Sequence, residues 1–146
     1  QGLYGRGGRN FVSTIIARLR AGQALRVDAE RQVQPTWSRA AARQILAIAA
    51  ARETGTFHVT CGGATTWLGF SEALCRGAAE RGVELPRTFV GVPTAELRSA
   101  APRPALSLLD NRMLRLCGLH QMPSWQDALS AYLDEALSSE PTARNL

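Results

Sequence analysis

Lysine is absent from this chain of 146 residues, and all 17 of its basic residues are arginine. This absence excludes a Schiff-base lysine, a P-loop lysine and a Tyr-x-x-x-Lys catalytic pair. The chain also has no Gly-x-Ser-x-Gly motif, no Cys-x-x-Cys pair and no His-x-x-x-His pair, which argues against a serine hydrolase and a zinc site. We therefore predict no catalytic residue and no metal ligand in this chain alone.

Long apolar runs are missing as well. No stretch reaches the roughly 20 residues that a membrane span needs, and the glycine-rich start does not resemble a signal peptide. The three cysteines, Cys61, Cys75 and Cys117, are odd in number and far apart, which is typical of reduced thiols. We predict a cytoplasmic protein without a membrane partner, and the first residue, Gln1, indicates a start inside a longer protein.

The positive charge is spread along the chain and not clustered with aromatic residues. The formal net charge is +5, but a nucleic-acid-binding protein usually gathers its basic residues on one face. We therefore predict no nucleic-acid partner, although binding of a smaller phosphate compound stays open.

Helical and strand patterns alternate, which favours the α/β class. Capping residues and apolar spacing predict helices that begin after Asn10, after Pro35-Thr36, at Trp67, after Asp110 and at Trp125. Strand patterns cover residues 24–27, 56–61, 88–92 and 106–109. The second helix is expected to bury Ala41, Ile45, Ile48 and Ala49. So few short strands do not make a complete doubly wound sheet, so the chain is predicted to be one portion of a larger fold.

Three local features are candidates for polar chemistry. Residues 5–10 begin like a dinucleotide-binding loop but end in Asn10, so they are either an anion site or a plain turn. Arg103 lies between Pro102 and Pro104, and is either a preorganised phosphate ligand or a surface arginine. We predict that Asp28 and Glu30 flank a solvated turn, and that His58 is a packed, hydrogen-bonded side chain.

Five stretches, in order, resemble the dTDP-4-dehydrorhamnose reductase group of the extended short-chain dehydrogenases. They are Leu3-Tyr4-Gly5-Arg6-Gly7-Gly8-Arg9-Asn10-Phe11, Pro35-Thr36, Gly55-Thr56-Phe57-His58-Val59 followed by Thr65-Thr66-Trp67, Val92-Pro93-Thr94 with Arg103-Pro104 and Ser107, and residues 119–132 with Pro123-Ser124-Trp125. No single stretch is specific, but their common order and spacing cover residues 3 to about 137.

The resemblance implies a partial Rossmann-type fold, with late strands and a helix near residues 36–61, joined to the small α/β substrate-binding domain. The sugar-nucleotide-binding portion would span residues 1–137, and residues 138–146 would form a polar tail. The family's other half binds NADPH and carries a Thr/Ser, a Tyr and a Lys, so NADPH would be held outside this chain.

The function implied is the substrate-binding half of an NADPH-dependent dTDP-4-keto-6-deoxyhexose reductase. The predicted partners are a dTDP-sugar and the other Rossmann half, with a homodimer left open. Pro35, Thr36, Arg103 and Ser107 would lie near the nucleotide sugar, and Tyr4 and Phe11 would line its entrance.

Several positions depart from the family pattern. Gly2 stands in place of a pocket Trp, Glu30-Arg31 in place of Asp-Gln, Val33 in place of Gly, Leu106 in place of Asn, and Leu97-Arg98 in place of Tyr-Pro. These departures indicate either a different sugar nucleotide or a non-catalytic, regulatory binding module of the same fold.

Overall fold

The computed structural model describes residues 2–97, 104 and 106–137, and within them helices and short strands alternate. The helices are α1 (Phe11–Arg20), α2 (Ser38–Ala50), α3 (Trp67–Ala79), α4 (Arg112–Leu116) and α5 (Trp125–Leu137). The strands are β1 (Gly2–Tyr4), β2 (Leu25–Asp28), β3 (Gln32–Val33), β4 (Pro35–Trp37), β5 (Thr65–Thr66), β6 (Phe89–Val92) and β7 (Leu106–Ser107). The α/β class predicted from the sequence is confirmed.

The strands form three small sheets. β1 pairs with β4, and β2 pairs with β6, both in parallel. The third sheet has the order β5-β3-β7, in which β3 is antiparallel to β5 and parallel to β7. The β2–β6 register sets Asp28 opposite Val92, and this pairing brings two distant parts of the chain to one edge of a cleft.

Helix α1 forms where its cap predicts it. The Asn10 side chain accepts a hydrogen bond from the Ser13 N–H at 3.1 Å, and the Ser13 hydroxyl lies 3.0 Å from the Asn10 N–H. This reciprocal pair satisfies N–H groups that the first turn leaves without partners. Gly22 follows the helix with a φ of +64°, a conformation that glycine adopts without steric cost.

Helix α2 is confirmed, but only part of the face predicted to be buried lies in the core. Ala41 is buried as expected, whereas Ile45 is 55% exposed and Leu46 is 69% exposed. The polar Gln44 turns inward, because its amide donates to the Leu119 carbonyl at 2.9 Å and accepts from the Gln121 N–H at 2.8 Å. Ile48 packs against the core, so α2 buries one part of its predicted face and exposes Ile45 and Leu46 outside the described core.

Residues 56–61 were predicted to be a strand, and this prediction is wrong for the described part of the chain. A strand needs a neighbour for its ladder of hydrogen bonds, and no described segment pairs with these residues in that way. Side chains hold the segment instead: the Thr60 N–H donates to Asn111 and the Cys61 N–H donates to Thr36. Asn111, and not Asp110, is the residue that precedes α4.

The core lies between β1, β4, α3 and α5. Phe70, Leu74 and Ala78 are buried on α3. The Phe70 ring packs against Tyr4 and Trp125 at centroid distances of 5.4 and 5.9 Å. Burial of one such side chain contributes about 1.5–3 kcal/mol, so α3 is anchored mainly by its apolar face.

The start of α5 and the limits of the described chain complete the fold. The Ser124 hydroxyl accepts from the Asp127 N–H at 3.0 Å and donates to the Asp127 carboxylate, and this pair caps the helix that was expected to begin at Trp125. Arg103 and residues 138–146 lie outside the described residues. None of the helices that the structure describes has the length and apolar character of a membrane span.

Candidate ligand-binding site

A cleft of about 540 Å³ opens between β1, α1, β2 and the start of α3. Its volume lies in the range typical of small-molecule sites. We call it the arginine cleft, and the residues that give it its character are Gly2, Phe11, Arg18, Arg26, Arg31 and Trp67. It combines a flat aromatic surface with a positively charged wall.

The aromatic surface is formed by Phe11 and Trp67. Their ring centroids are 4.0 Å apart and their planes are tilted by 34°. A Cβ atom on Gly2 would lie 2.3 Å from the Trp67 ring, so the indole occupies the space that a side chain at position 2 would need. The missing side chain at Gly2 is thus compensated by a large ring from α3.

The charged wall contains three arginines in different states. Arg26 pairs with Glu96 and is 54% exposed, so solvent screens this pair. Arg18 is exposed, and no carboxylate among the described residues pairs with it. Arg31 is only 14% exposed and its Nη1 lies 3.7 Å from the Asp28 carboxylate. A guanidinium presents donors in a planar fork that matches phosphate oxygens.

Asp28 is the one carboxylate among the lining residues, and it is buried with 4% of its surface exposed. It accepts hydrogen bonds from the Glu30 N–H at 3.0 Å, the Arg31 N–H at 2.9 Å and the Thr94 hydroxyl at 2.8 Å. Burial alone would raise the pKa of Asp28, but these hydrogen bonds and the Arg31 charge together hold the pKa below its usual value.

The prediction of a solvated turn is therefore wrong for Asp28. Its carboxylate is buried and stabilises the turn, because it accepts hydrogen bonds from donors of three residues. Glu30 remains exposed but also has a role, since its carboxylate accepts from the Thr94 N–H at 2.9 Å. Both acidic residues tie the turn after β2 to the segment after β6.

Of the residues predicted at the ligand, Phe11 lines the cleft. Tyr4 does not lie at an entrance, because only 3% of its surface is exposed. Its ring packs in the core against the rings of Phe70 and Tyr132. Burial is the main cause that raises the pKa of Tyr4, and the electrostatic effects of Cys61 and Tyr132 raise this pKa further. Among the described residues its hydroxyl has no hydrogen-bond partner. The entrance prediction for Tyr4 is corrected: it is a core residue.

Pro35 and Thr36 are also fully buried. The Thr36 hydroxyl donates to the Gln34 carbonyl and accepts from the Cys61 N–H, both at 3.2 Å. These contacts make Thr36 a structural link between β4 and residues 56–61. Ser107 lies in β7 opposite Val33, while Arg103 is outside the described residues.

The sequence predictions missed Trp67, Arg31 and Thr94. Trp67 was visible only as a motif residue, and its stacking on Phe11 requires α1 and α3 to meet in space. Arg31 appeared as a departure from the family pattern, and its burial could not be deduced from one sequence. The link from Thr94 to Asp28 spans 66 positions, so no local signal indicated it.

The loop of residues 5–10 does not fit a dinucleotide. The Asn10 amide donates to the Gly5 carbonyl at 2.9 Å, so the loop is closed by its own side chain where a third glycine would leave room. His58 is exposed and its Nδ1 lies 3.2 Å from the Asp110 carbonyl, so it is hydrogen-bonded but not packed. No cluster of potential metal ligands occurs within residues 2–97 and 106–137.

A model of one protein family, the RmlD substrate binding domain, matches residues 1–138. The chain belongs to this family. The resemblance inferred from the five ordered stretches is thereby confirmed. Membership in the RmlD family also explains the parallel β1–β4 and β2–β6 pairs as parts of a partial Rossmann-type fold.

Several relatives of this RmlD-family chain have reductase names. A probable dTDP-4,6-dihydroxy-2-methyloxan-3-one 4-ketoreductase from Streptomyces antibioticus is 36% identical over 146 residues, covering 97% of this chain and 48% of the relative. The chain thus spans about half the length of this relative.

Solved structures agree with this family. A dTDP-4-dehydrorhamnose reductase from Clostridium acetobutylicum has a TM-score of 0.83 and 31% identity, over 94% of this chain and 47% of that one. The dTDP-4-dehydrorhamnose reductase from Bacillus anthracis, in complex with NADP, has a TM-score of 0.81 and 31% identity, over 91% and 46%. The fold of this RmlD-family chain is therefore that of half of such a reductase.

Proposed function

We propose that this chain is the substrate-binding half of an NADPH-dependent dTDP-4-keto-6-deoxyhexose reductase. The observation that carries the proposal is the arginine cleft, which sets an aromatic pair beside a basic wall in a member of the RmlD family. A sugar nucleotide has matching parts, because its base and sugar have flat or apolar faces and its diphosphate carries negative charge.

Binding would use the two surfaces of the cleft in different ways. Phe11 and Trp67 offer stacking area to the base or the sugar, a contact worth about 1–3 kcal/mol per base. Arg18 offers an exposed guanidinium to the diphosphate. Arg103 and Ser107 remain proposed ligand contacts, whereas the burial of Pro35 and Thr36 favours a supporting role for these two residues.

We assign hydride and proton delivery to the part of the reductase relatives that this chain does not cover, because the chain spans 48% of the Streptomyces antibioticus relative and has no lysine for a Tyr-x-x-x-Lys pair. NADPH is therefore proposed as a cofactor of the whole protein, with this chain binding and orienting the sugar nucleotide. The free thiols of Cys61, Cys75 and Cys117 support the proposed cytoplasmic location.

The rest of the protein is the proposed partner of α2 and residues 56–61. Ile45 and Leu46 expose an apolar face on α2, and apolar patches of this kind mark interaction surfaces. Residues 56–61 have no strand neighbour among the described residues, and a strand from the other half would supply one. A homodimer stays an additional proposal.

Titration of the full-length protein with dTDP and with a dTDP-6-deoxyhexose tests the proposed function. We expect Trp67→Leu to weaken binding by about 1–3 kcal/mol through loss of stacking, while Trp67→Phe retains most of the affinity. Arg76→Gln on the far side of α3 serves as a control for charge. Unchanged affinity in Trp67→Leu, or no binding of dTDP to the wild type, would contradict the proposal.

A non-catalytic binding module is the second candidate, and Leu106 favours it. This residue is 63% exposed where the related pattern has a polar side chain. Oxidation of NADPH by the full-length protein in the presence of a dTDP-4-keto-6-deoxyhexose separates the two functions. Binding of the nucleotide without turnover would support the module, and turnover would exclude it.

A further inference from the structure

Asp28 connects the cleft wall to a distant part of the chain. It is the last residue of β2 and lies opposite Val92, the last residue of β6. The Thr94 hydroxyl, two residues after β6, lies 2.8 and 2.9 Å from the two oxygens of its carboxylate. The N–H groups of Glu30 and Arg31 bind one of these oxygens as well. The orientation of this buried carboxylate is therefore fixed from several sides.

Arg31 lies next to this carboxylate, but the carboxylate does not use all of the hydrogen-bond donors of its guanidinium. Its Nη1 is 3.7 Å from Asp28 Oδ2, beyond hydrogen-bonding distance. Its Nε is buried and has no hydrogen-bond partner among the described residues. A guanidinium has five N–H donors, and a buried donor without a partner is costly. The Arg31 side chain thus keeps donor capacity at the wall of a cleft.

The neighbouring arginine differs in this respect. Arg26 already forms an ion pair with Glu96 and is 54% exposed, so water competes for its donors. Arg31 is 14% exposed, and a charge in such a setting interacts more strongly with an incoming anion because solvent screens it less. Among the arginines of the wall, Arg31 combines burial with unused donors.

We propose that Arg31 is a specificity-determining residue that binds an anionic oxygen of the ligand's diphosphate, and that Asp28 and Thr94 are positioning residues that hold its guanidinium at the cleft wall. This inference rests on the proposed function, because it assigns part of the same cleft. It adds a buried arginine that favours a nucleoside diphosphate over the uncharged nucleoside.

The first experiment compares dTDP with thymidine on the full-length protein. Calorimetric titration measures dTDP, and ligand-observed NMR measures the weaker thymidine. We expect Arg31→Gln to lower the affinity for dTDP by about 10-fold to 100-fold, the loss of a charge-assisted hydrogen bond, and to leave thymidine binding unchanged. Arg76→Gln, outside the cleft, is the control for a changed net charge.

The outcomes separate this inference from the proposed function. Wild-type protein that binds dTDP, with Arg31→Gln unchanged, would overturn the role of Arg31 alone. Equal loss of dTDP and thymidine binding would also overturn it, because the variant would then have disturbed the whole cleft. Wild-type protein that does not bind dTDP would overturn both proposals.

The second experiment tests the positioning role of Thr94. Thr94→Val removes the hydroxyl with little change of shape, and Thr94→Ser restores it. We expect Thr94→Val to reduce dTDP affinity several-fold in the wild type, to have no further effect in Arg31→Gln, and to be rescued by Thr94→Ser. A reduction of equal size in both backgrounds would show that Thr94 does not act through Arg31.

Asp28→Asn extends the same test to the carboxylate. The variant keeps the shape of the side chain but removes the charge, and its effect on dTDP affinity is expected to vanish in the Arg31→Gln background. Circular dichroism shows whether each variant is folded. If Asp28→Asn does not fold, Thr94→Val still decides the positioning role.

Discussion

The Asn111 side chain pairs with the main chain of Thr60 as a neighbouring strand would. Its Nδ2 donates to the Thr60 carbonyl at 2.7 Å, and its Oδ1 accepts from the Thr60 N–H at 3.1 Å. One side-chain amide thus satisfies both peptide groups of a fully buried residue. This contact fixes residues 56–61 in the absence of a strand ladder among the described residues.

Removal of this amide is expected to be strongly destabilising. Asn111→Ala leaves a buried N–H and a buried carbonyl without partners, and each costs about 1–3 kcal/mol. Urea unfolding of the full-length protein measures the change. Arg112→Gln, at the next and exposed position, is the control and is expected to change stability little. Equal stability of Asn111→Ala and wild type would show that water replaces the amide.

Arg81 joins α3 to α5 through several donors. Its Nη1 donates to the Gly77 carbonyl at 2.9 Å, and its Nη2 to the Ser130 hydroxyl at 2.8 Å. Its Nε contacts the exposed carboxylate of Asp134, which raises the pKa of Arg81. Arg81→Lys keeps the charge but loses the planar fork, so we expect it to lower the melting temperature almost as much as Arg81→Ala.

Thermal unfolding of these variants checks the prediction, with Arg76→Ala as the control on the same helix. The expected loss from the contacts to Gly77 and Ser130 is on the order of 1 kcal/mol. Recovery of the wild-type melting temperature in Arg81→Lys would show that charge alone matters.

Asp28 is expected to make stability depend on acid. Its folded pKa lies below the unfolded value of about 3.9. Its contribution is therefore complete above the unfolded pKa and is lost as the pH falls through the lower folded pKa. Thermal melts at about pH 6 and about pH 2.5 measure this loss, and Asp28→Asn should lose less stability between them than the wild type. The same loss in both proteins would assign the acid sensitivity to other carboxylates.

Residues 1–146 expressed alone are expected to aggregate or to bind the dye ANS. Ile45 and Leu46 are 55% and 69% exposed on α2, and such surface attracts both dye and other copies of the chain. Ile45→Gln with Leu46→Gln should reduce ANS fluorescence, whereas Arg52→Gln near the same helix should not. A monomeric wild-type fragment with a sharp cooperative melt and no ANS binding would contradict this prediction.

Gly2 is expected to be intolerant of a side chain because of Trp67. A Cβ atom at position 2 would lie 2.3 Å from the indole, so Gly2→Ala must displace the ring from the cleft. We expect lower dTDP affinity and a shifted tryptophan emission in the full-length protein. In the Trp67→Leu background Gly2→Ala should have little further effect, and an undiminished effect there would point to backbone strain instead.

The sequence predicted those elements whose determinants are local. Helix α1 begins at Asn10 because the cap residues are neighbours in sequence, and α5 begins after Ser124 for the same reason. A strand at residues 56–61 depends on a partner strand outside the segment. The alternating pattern of these residues alone therefore could not show whether a strand forms. The inward turn of Gln44 likewise depends on the distant main chain of Leu119 and Gln121.

The candidate site was predictable only in part. Phe11 was identified from a motif and lines the cleft, and its role at the ligand stays a prediction. Tyr4 came from the same motif, yet strand β1 turns its ring toward Tyr132 in the core. The alternation of side chains along a strand decides which neighbour faces a ligand, and a motif of adjacent letters does not encode that face. Arg31 required knowledge of its burial, which arises from tertiary contacts.

The tie between Thr94 and Asp28 also bears on recombination among relatives. These residues are 66 positions apart in the chain. A crossover between them would therefore combine Asp28 from one parent with the residue at position 94 from another. A chimera with a new segment after β6 would keep the Asp28–Thr94 contact only if position 94 has a hydroxyl and position 28 a carboxylate. Transfer of ligand specificity between relatives by exchange of segments would therefore require that positions 28 and 94 come from the same parent.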